Sequence, residues 1–173
     1  MRSLACACAC ACALAASTVL IEVPAVSPSS ALRLASAELS RYLADLGVTS
    51  RAARARVVTA PIAAGSPADL IISLAIDASP FSGGAGYSLG GAAASASGGA
   101  ARLAVSGSDA QHALYGTYAL LERLGMTFST AGPTLPSRVP DVAALAAALA
   151  AAPLAQTPAF STRGLQPFHD FAE

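Results

Sequence analysis

Apolar and polar positions alternate along the chain in two distinct rhythms. Between Ala31 and Leu46, Leu32, Leu39, Leu43 and Leu46 recur at helical spacing and make one apolar stripe. Glu38 with Arg41, and Arg41 with Asp45, form i,i+3 and i,i+4 pairs on the polar side. Ser27-Pro28-Ser29-Ser30 breaks the chain ahead of this helix and offers an N-cap, and Gly47 supplies the stop. A second helix is predicted from Ala110 to Leu124, with Leu114, Tyr118, Leu121 and Leu124 as its core face, Ser108 and Asp109 as caps and Gly125 at its end.

The other rhythm is that of strands. Ser17–Val26 is rich in β-branched residues, with Pro24 marking an edge or an end. Arg56–Ala60 and Asp69–Ile76 follow, the latter so nearly all apolar that it belongs in the middle of a sheet or is buried on both faces. Tyr87–Leu89 and Ala101–Ser106 read as a hairpin around a Gly/Ala/Ser tract, and Met126–Phe128 as one more short extended piece. The order strand, helix, several strands, helix predicts an α+β fold: a single, mostly antiparallel sheet with two helices packed on one face.

Outside residues 17–129 the pattern changes. Positions 1–16 open with Met1-Arg2-Ser3, continue through an apolar stretch from Leu4 to Ala16 and end in an A-x-A exit, the pattern of a secretory signal peptide. That stretch is too short to span a bilayer, which takes roughly 20 residues. All four cysteines (Cys6, Cys8, Cys10 and Cys12) lie within it, so cleavage leaves a chain with neither disulfides nor a membrane anchor. Residues 130–158, punctuated by Pro133, Pro136, Pro140, Pro153 and Pro158 in an alanine-rich background, read as a linker, in which Asp141–Ala152 offers a short helix whose apolar face is mostly alanine. Residues 159–173, with Phe160, Leu165, Phe168 and Phe171, read as the severed first strand of a following domain.

Composition narrows the function less than the pattern does. Of 173 residues 44 are alanine, so the hydrophobic fraction of 54% overstates the core-forming material. Alanine buries little area, and Leu, Ile, Val, Phe and Tyr must carry the packing. Net charge is zero and no basic run exists, which excludes nucleic acid as an expected partner. Tryptophan is absent, which removes the best residue for stacking on sugars.

Candidate chemistry is sparse. Gly86-Tyr87-Ser88-Leu89-Gly90 fits G-x-S-x-G, and Asp141 and His169 fill the acid and base positions in chain order, giving a small serine esterase as one alternative. The surrounding glycines favour a hairpin over the helix such an elbow needs. Neither phosphate-loop pattern is present, lysine is missing altogether, and no histidine pair has metal-ligand spacing, so neither cofactor nor metal is expected. His112 reads as a boundary residue whose one acidic neighbour at fixed spacing is Asp109.

The stretch from Gly107 to Phe128 (GSDAQHALYGTYALLERLGMTF), together with Gly86–Leu89 and Leu103–Ser108, resembles in order and spacing the small N-terminal domain that precedes the catalytic barrel of α-glucuronidases and β-N-acetylhexosaminidases. The resemblance covers roughly Thr18 to Phe128. His112 departs from it, and the tract 91–101 is looser than the family pattern. It implies a hexosaminidase domain-2-like fold, followed by a proline-bearing connector and a first barrel strand; Phe160-Ser161-Thr162-Arg163-Gly164-Leu165 is similar to that junction. By the same resemblance Arg163, His169 and Asp170 lie at the barrel mouth, where they contact a carbohydrate substrate. The alternative for Arg163 is a junction arginine with no ligand. The catalytic carboxylates of such enzymes lie further along the barrel, so the expectation is an ancillary, non-catalytic domain of a secreted glycoside hydrolase, inactive alone. A stand-alone binding module is the other alternative.

Overall fold

The computed structural model describes residues 18–24, 29–49, 55–59, 62, 68–82, 84–94 and 99–158. Strand β1 (Val19–Glu22) leads into helix α1 (Ser30–Asp45), whose first turn is capped by Ser29: its Oγ accepts the Leu32 N–H at 3.3 Å. Gly47, at φ +75°, ends α1 in the left-handed conformation that side chains resist. Strands β2 (Arg56–Val58) and β3 (Leu70–Ile76) come next, then a single 3-10 turn at Ser79–Phe81. The hairpin β4 (Tyr87–Ala92) and β5 (Ala101–Gly107) leads into helix α2 (Ala110–Arg123), which Gly125 closes at φ +93°. A small antiparallel hairpin of β6 (Thr127–Ser129) and β7 (Gly132–Thr134) precedes helix α3 (Val142–Ala151) and strand β8 (Leu154–Gln156).

Six strands form one mixed sheet in the order β2-β1-β3-β5-β4-β8. β1 pairs in parallel with both β2 and β3, and β3 in parallel with β5, whereas β4 runs antiparallel to β5 and to β8. The α+β class and the single principal sheet hold. The expectation of a mostly antiparallel sheet is corrected: three of the five neighbouring pairs are parallel. The reason is topological, because α1 carries the chain back across the sheet, so β2 lies beside β1 in the same direction.

All three helices lie on the same face. One cluster of buried side chains joins Val19 and Ile21 of β1, Leu70, Ile72 and Leu74 of β3, Leu89 of β4, and Leu103 and Val105 of β5 to Leu39 and Leu43 of α1, Leu120 and Leu121 of α2, and Leu149 of α3. The strand residues in that cluster share one parity and register across the sheet, which places them on one side. β3 is central as expected, with Ile71 and Ile72 1% and 0% exposed on opposite faces.

Two helices were expected to pack on the sheet, and among the described residues three do. The segment 130–158, expected as a linker, instead packs α3 against the sheet and adds β8 to its edge. Gly91 of β4 permits this: it has no Cβ, and the backbone carbonyl of Ala146 lies against it, with Leu149 beside it. Residues 1–16, expected as a leader, and residues 159–173, expected as a severed first strand, lie outside the described residues.

Candidate functional site

The parallel strands β3 and β5 deliver their carboxyl ends to the same edge of the sheet, where open α/β sheets place ligands. Polar groups gather there. The Asp77 N–H donates to the Gly107 carbonyl at 2.8 Å, and the Asp77 carboxylate accepts the Ser79 N–H at 2.9 Å. These bonds to Ser79, outweighing the slight opposing effect of desolvation, hold the Asp77 carboxyl below its ordinary value. Ser108 and Gly86 are joined twice: the Ser108 N–H donates to the Gly86 carbonyl at 2.9 Å, and Ser108 Oγ accepts the Gly86 N–H at 3.1 Å.

Asp109 caps α2, its carboxylate accepting the His112 N–H at 2.8 Å. The imidazole Nδ1 of His112 lies 2.9 Å from the same oxygen, with no aligned hydrogen bond between them. Partial burial works to raise the Asp109 pKa, but the His112 backbone N–H and imidazole outweigh it and leave the carboxyl below its usual range. Tyr115, half exposed, sets its ring edge-to-face against His112 with centroids 5.7 Å apart. Asp77, Ser108 and Asp109 thus each hold backbone at this edge, and their chemistry here is that of turn and helix caps.

Ser88 sits elsewhere. It lies within β4, paired in register with Ser106 and Ala155, on the face away from the helices. β4 runs on through Gly90 to Ala92, so no helix follows the serine and the strained strand-to-helix turn of a nucleophile elbow is not formed. Asp141, its expected acidic partner, caps α3 by accepting the Ala144 N–H at 2.9 Å. His169, together with Arg163 and Asp170, lies outside the described residues.

One grouping escaped the sequence reading. On the face opposite the helices, the register places Arg56, Leu20, Ile71 and Arg102 side by side across β2, β1, β3 and β5. In the next row Ser73 donates its hydroxyl to Glu22 at 2.8 Å. Nothing in the sequence signals this row, because the four residues come from strands whose neighbours are set by topology. Among the described residues no group of three or more His, Cys, Asp or Glu could hold a metal ion, and no helix is long and apolar enough to cross a membrane. Comparison with protein-family models, with curated proteins and with solved structures found no match in any of the three.

Proposed function

We propose that this chain is an ancillary, non-catalytic α+β domain of a secreted glycoside hydrolase, with residues 1–16 as its leader and a catalytic barrel to follow. One observation carries the reading. The three segments that resemble the N-terminal domain of α-glucuronidases and β-N-acetylhexosaminidases form a single packing unit. A Cβ built on Gly116, in the LYG stretch of α2, would come within 2.8 Å of Val105 in the VSGS strand and 3.2 Å of Tyr87 in the GYSL strand. Gly107, from the same VSGS stretch, runs directly beneath the first turn of α2. These glycines therefore serve close helix-to-sheet approach, a requirement of fold and not of catalysis.

The engagement of Asp77, Ser108, Asp109 and Asp141 with backbone supports the same reading, since each has a structural duty. The carbohydrate is then met by the following barrel, with Arg163, His169 and Asp170 at its mouth.

The test is to express the reading frame that continues past Glu173 alongside the 173-residue chain. Both products are assayed on aryl β-N-acetylhexosaminides and on glucuronic-acid-substituted oligosaccharides. Hydrolysis by the long product alone is the expected result. Hydrolysis by the 173-residue chain, or a stop codon directly after Glu173, would overturn the proposal.

A further inference from the structure

The sheet face away from the helices carries positive charge that the described residues do not neutralise. The row of Arg56, Leu20, Ile71 and Arg102 crosses four neighbouring strands. Ile71 is 1% exposed and Leu20 is half-buried, so the middle of the row has little apolar area left to offer. Its ends are different. Arg56 is exposed and Arg102 half-buried, while the ion pairs among the described residues are Arg41 with Glu38 and His112 with Asp109, so neither guanidinium of the row has a carboxylate.

The carboxylates that flank the row are already engaged. Glu22, two residues beyond Leu20, accepts the Ser73 hydroxyl at 2.8 Å, and Asp69, two residues before Ile71, accepts the Thr18 N–H at 2.7 Å. A guanidinium keeps its charge and brings five N–H donors in a fixed fork, and holding one partly out of water with no acceptor is costly. The free capacity at the two ends of the row is thus positive and donor-only. Beside Arg102 the register places Ala92, and the next row places Ala104 and Gly90, so no bulky side chain screens the guanidinium from that side.

The spacing of the two arginines selects a partner. Neighbouring strands lie about 4.8 Å apart, which puts the Cα atoms of Arg56 and Arg102 about 14 Å apart. An extended peptide rises about 3.3 Å per residue and turns alternate side chains to one side, so its residues i and i+4 lie about 13 Å apart on that side. We propose that this face binds an extended acidic peptide of a partner protein, laid across the strands, with carboxylates at i and i+4 forking onto Arg56 and Arg102. Two other polymers fit less well. A polyphosphate would lie against Glu22 and Asp69 on a chain of zero net charge, and a sugar would find no aromatic ring in the row to stack on. This inference stands apart from the function proposed above.

Fluorescence anisotropy with the whole chain tests it. Short labelled peptides carry two glutamates four positions apart, two adjacent glutamates, or two lysines four positions apart. The first is expected to bind, and Arg56→Gln and Arg102→Gln are each expected to weaken it at least about tenfold. Arg138→Gln, which removes an exposed arginine outside the sheet, is expected to leave it unchanged. No binding of the first peptide, equal binding of the second, or an equal loss in Arg138→Gln would overturn the proposal. So would tighter binding of a polyuronate at the same arginines, or a dimer of the chain that Arg56→Gln dissolves. If Arg102→Gln fails to fold, the exposed Arg56→Gln decides.

Discussion

At Gly107 the last residue of β5 runs so close beneath α2 that an added Cβ would fall on the backbone of Ala113 and 2.6 Å from the carbonyl carbon of His112. Neither neighbour is a flexible side chain, so Gly107→Ala must shift the helix or the strand. The expected cost is about 3 kcal/mol, seen as a lower midpoint in urea denaturation. Two residues on, Asp109 offers a pH-dependent counterpart. Its carboxyl is held lower in the folded chain than its unfolded value of about 3.9, so its stabilisation is complete above that pH and is lost as pH falls through the folded value. Asp109→Ala is expected to cost about 1 kcal/mol at neutral pH through loss of the cap. Asp109→Asn keeps a capping oxygen and should lose the part of the acid dependence that Asp109 supplies, leaving that of Asp77. Circular dichroism followed from pH 6 to pH 2 (roughly the range over which carboxylates titrate) compares the variants.

At the scale of elements, α1 and α2 are joined on their exposed side by a small polar and aromatic cluster. Glu38 accepts the Tyr118 hydroxyl at 3.2 Å and Arg41 at 3.3 Å, while Tyr42 and Tyr118 both set edges against Phe128. Burial first, and then the Glu38 carboxylate, push the Tyr118 phenol above its ordinary value. Since the folded value is the higher one, the associated stability is full below about pH 10 and is lost as pH rises through the folded value. Glu38→Gln is expected to bring the Tyr118 titration down, a change visible by ultraviolet difference titration; an unmoved curve would place the cause in burial alone.

The same scale explains what the sequence disclosed. α1 and α2 were legible because leucines stand out against polar neighbours at a fixed spacing, and their caps, Ser29 and Asp109, lie where capping chemistry requires. α3 was not legible as part of the core, because a helix of alanine and leucine has no polar face against which to find a stripe. β8 is three residues long between Pro153 and Thr157, too short to show alternation. Near-continuous apolarity marked β3 as central, and alternation can encode which face a strand buries. It does not encode which strand lies next door, which hid the parallel pairing of β1 with β3 and the row from Arg56 to Arg102.

For the whole molecule, the placement of Ser88 within a strand on the face away from the helices predicts that Ser88→Ala leaves any ester hydrolysis by a purified preparation unchanged. Activity that vanished with the hydroxyl would restore it as a candidate nucleophile. The bonds of Asp77, Asp109 and Asp141 to backbone N–H groups likewise predict that replacing any of them acts on stability before it acts on any reaction. A glycosidase assay and a melting curve run on the same variants separate the two effects.

The position of β1 also shapes how the chain is made. β1 sits between β2 and β3, and its bonds reach far along the sequence: Thr18 donates its N–H to Asp69, and Glu22 accepts from Ser73, each across 51 residues. During synthesis β1 leaves the ribosome before its central neighbour β3, which follows only after those residues are translated, about 3–10 s later at ordinary elongation rates. Through that interval Val19, Leu20 and Ile21 lack the β3 strand that covers one side of them. The hairpin of β4 and β5 and the helix after it close over short distances, so β1, though it emerges before them, is among the last to find its full place.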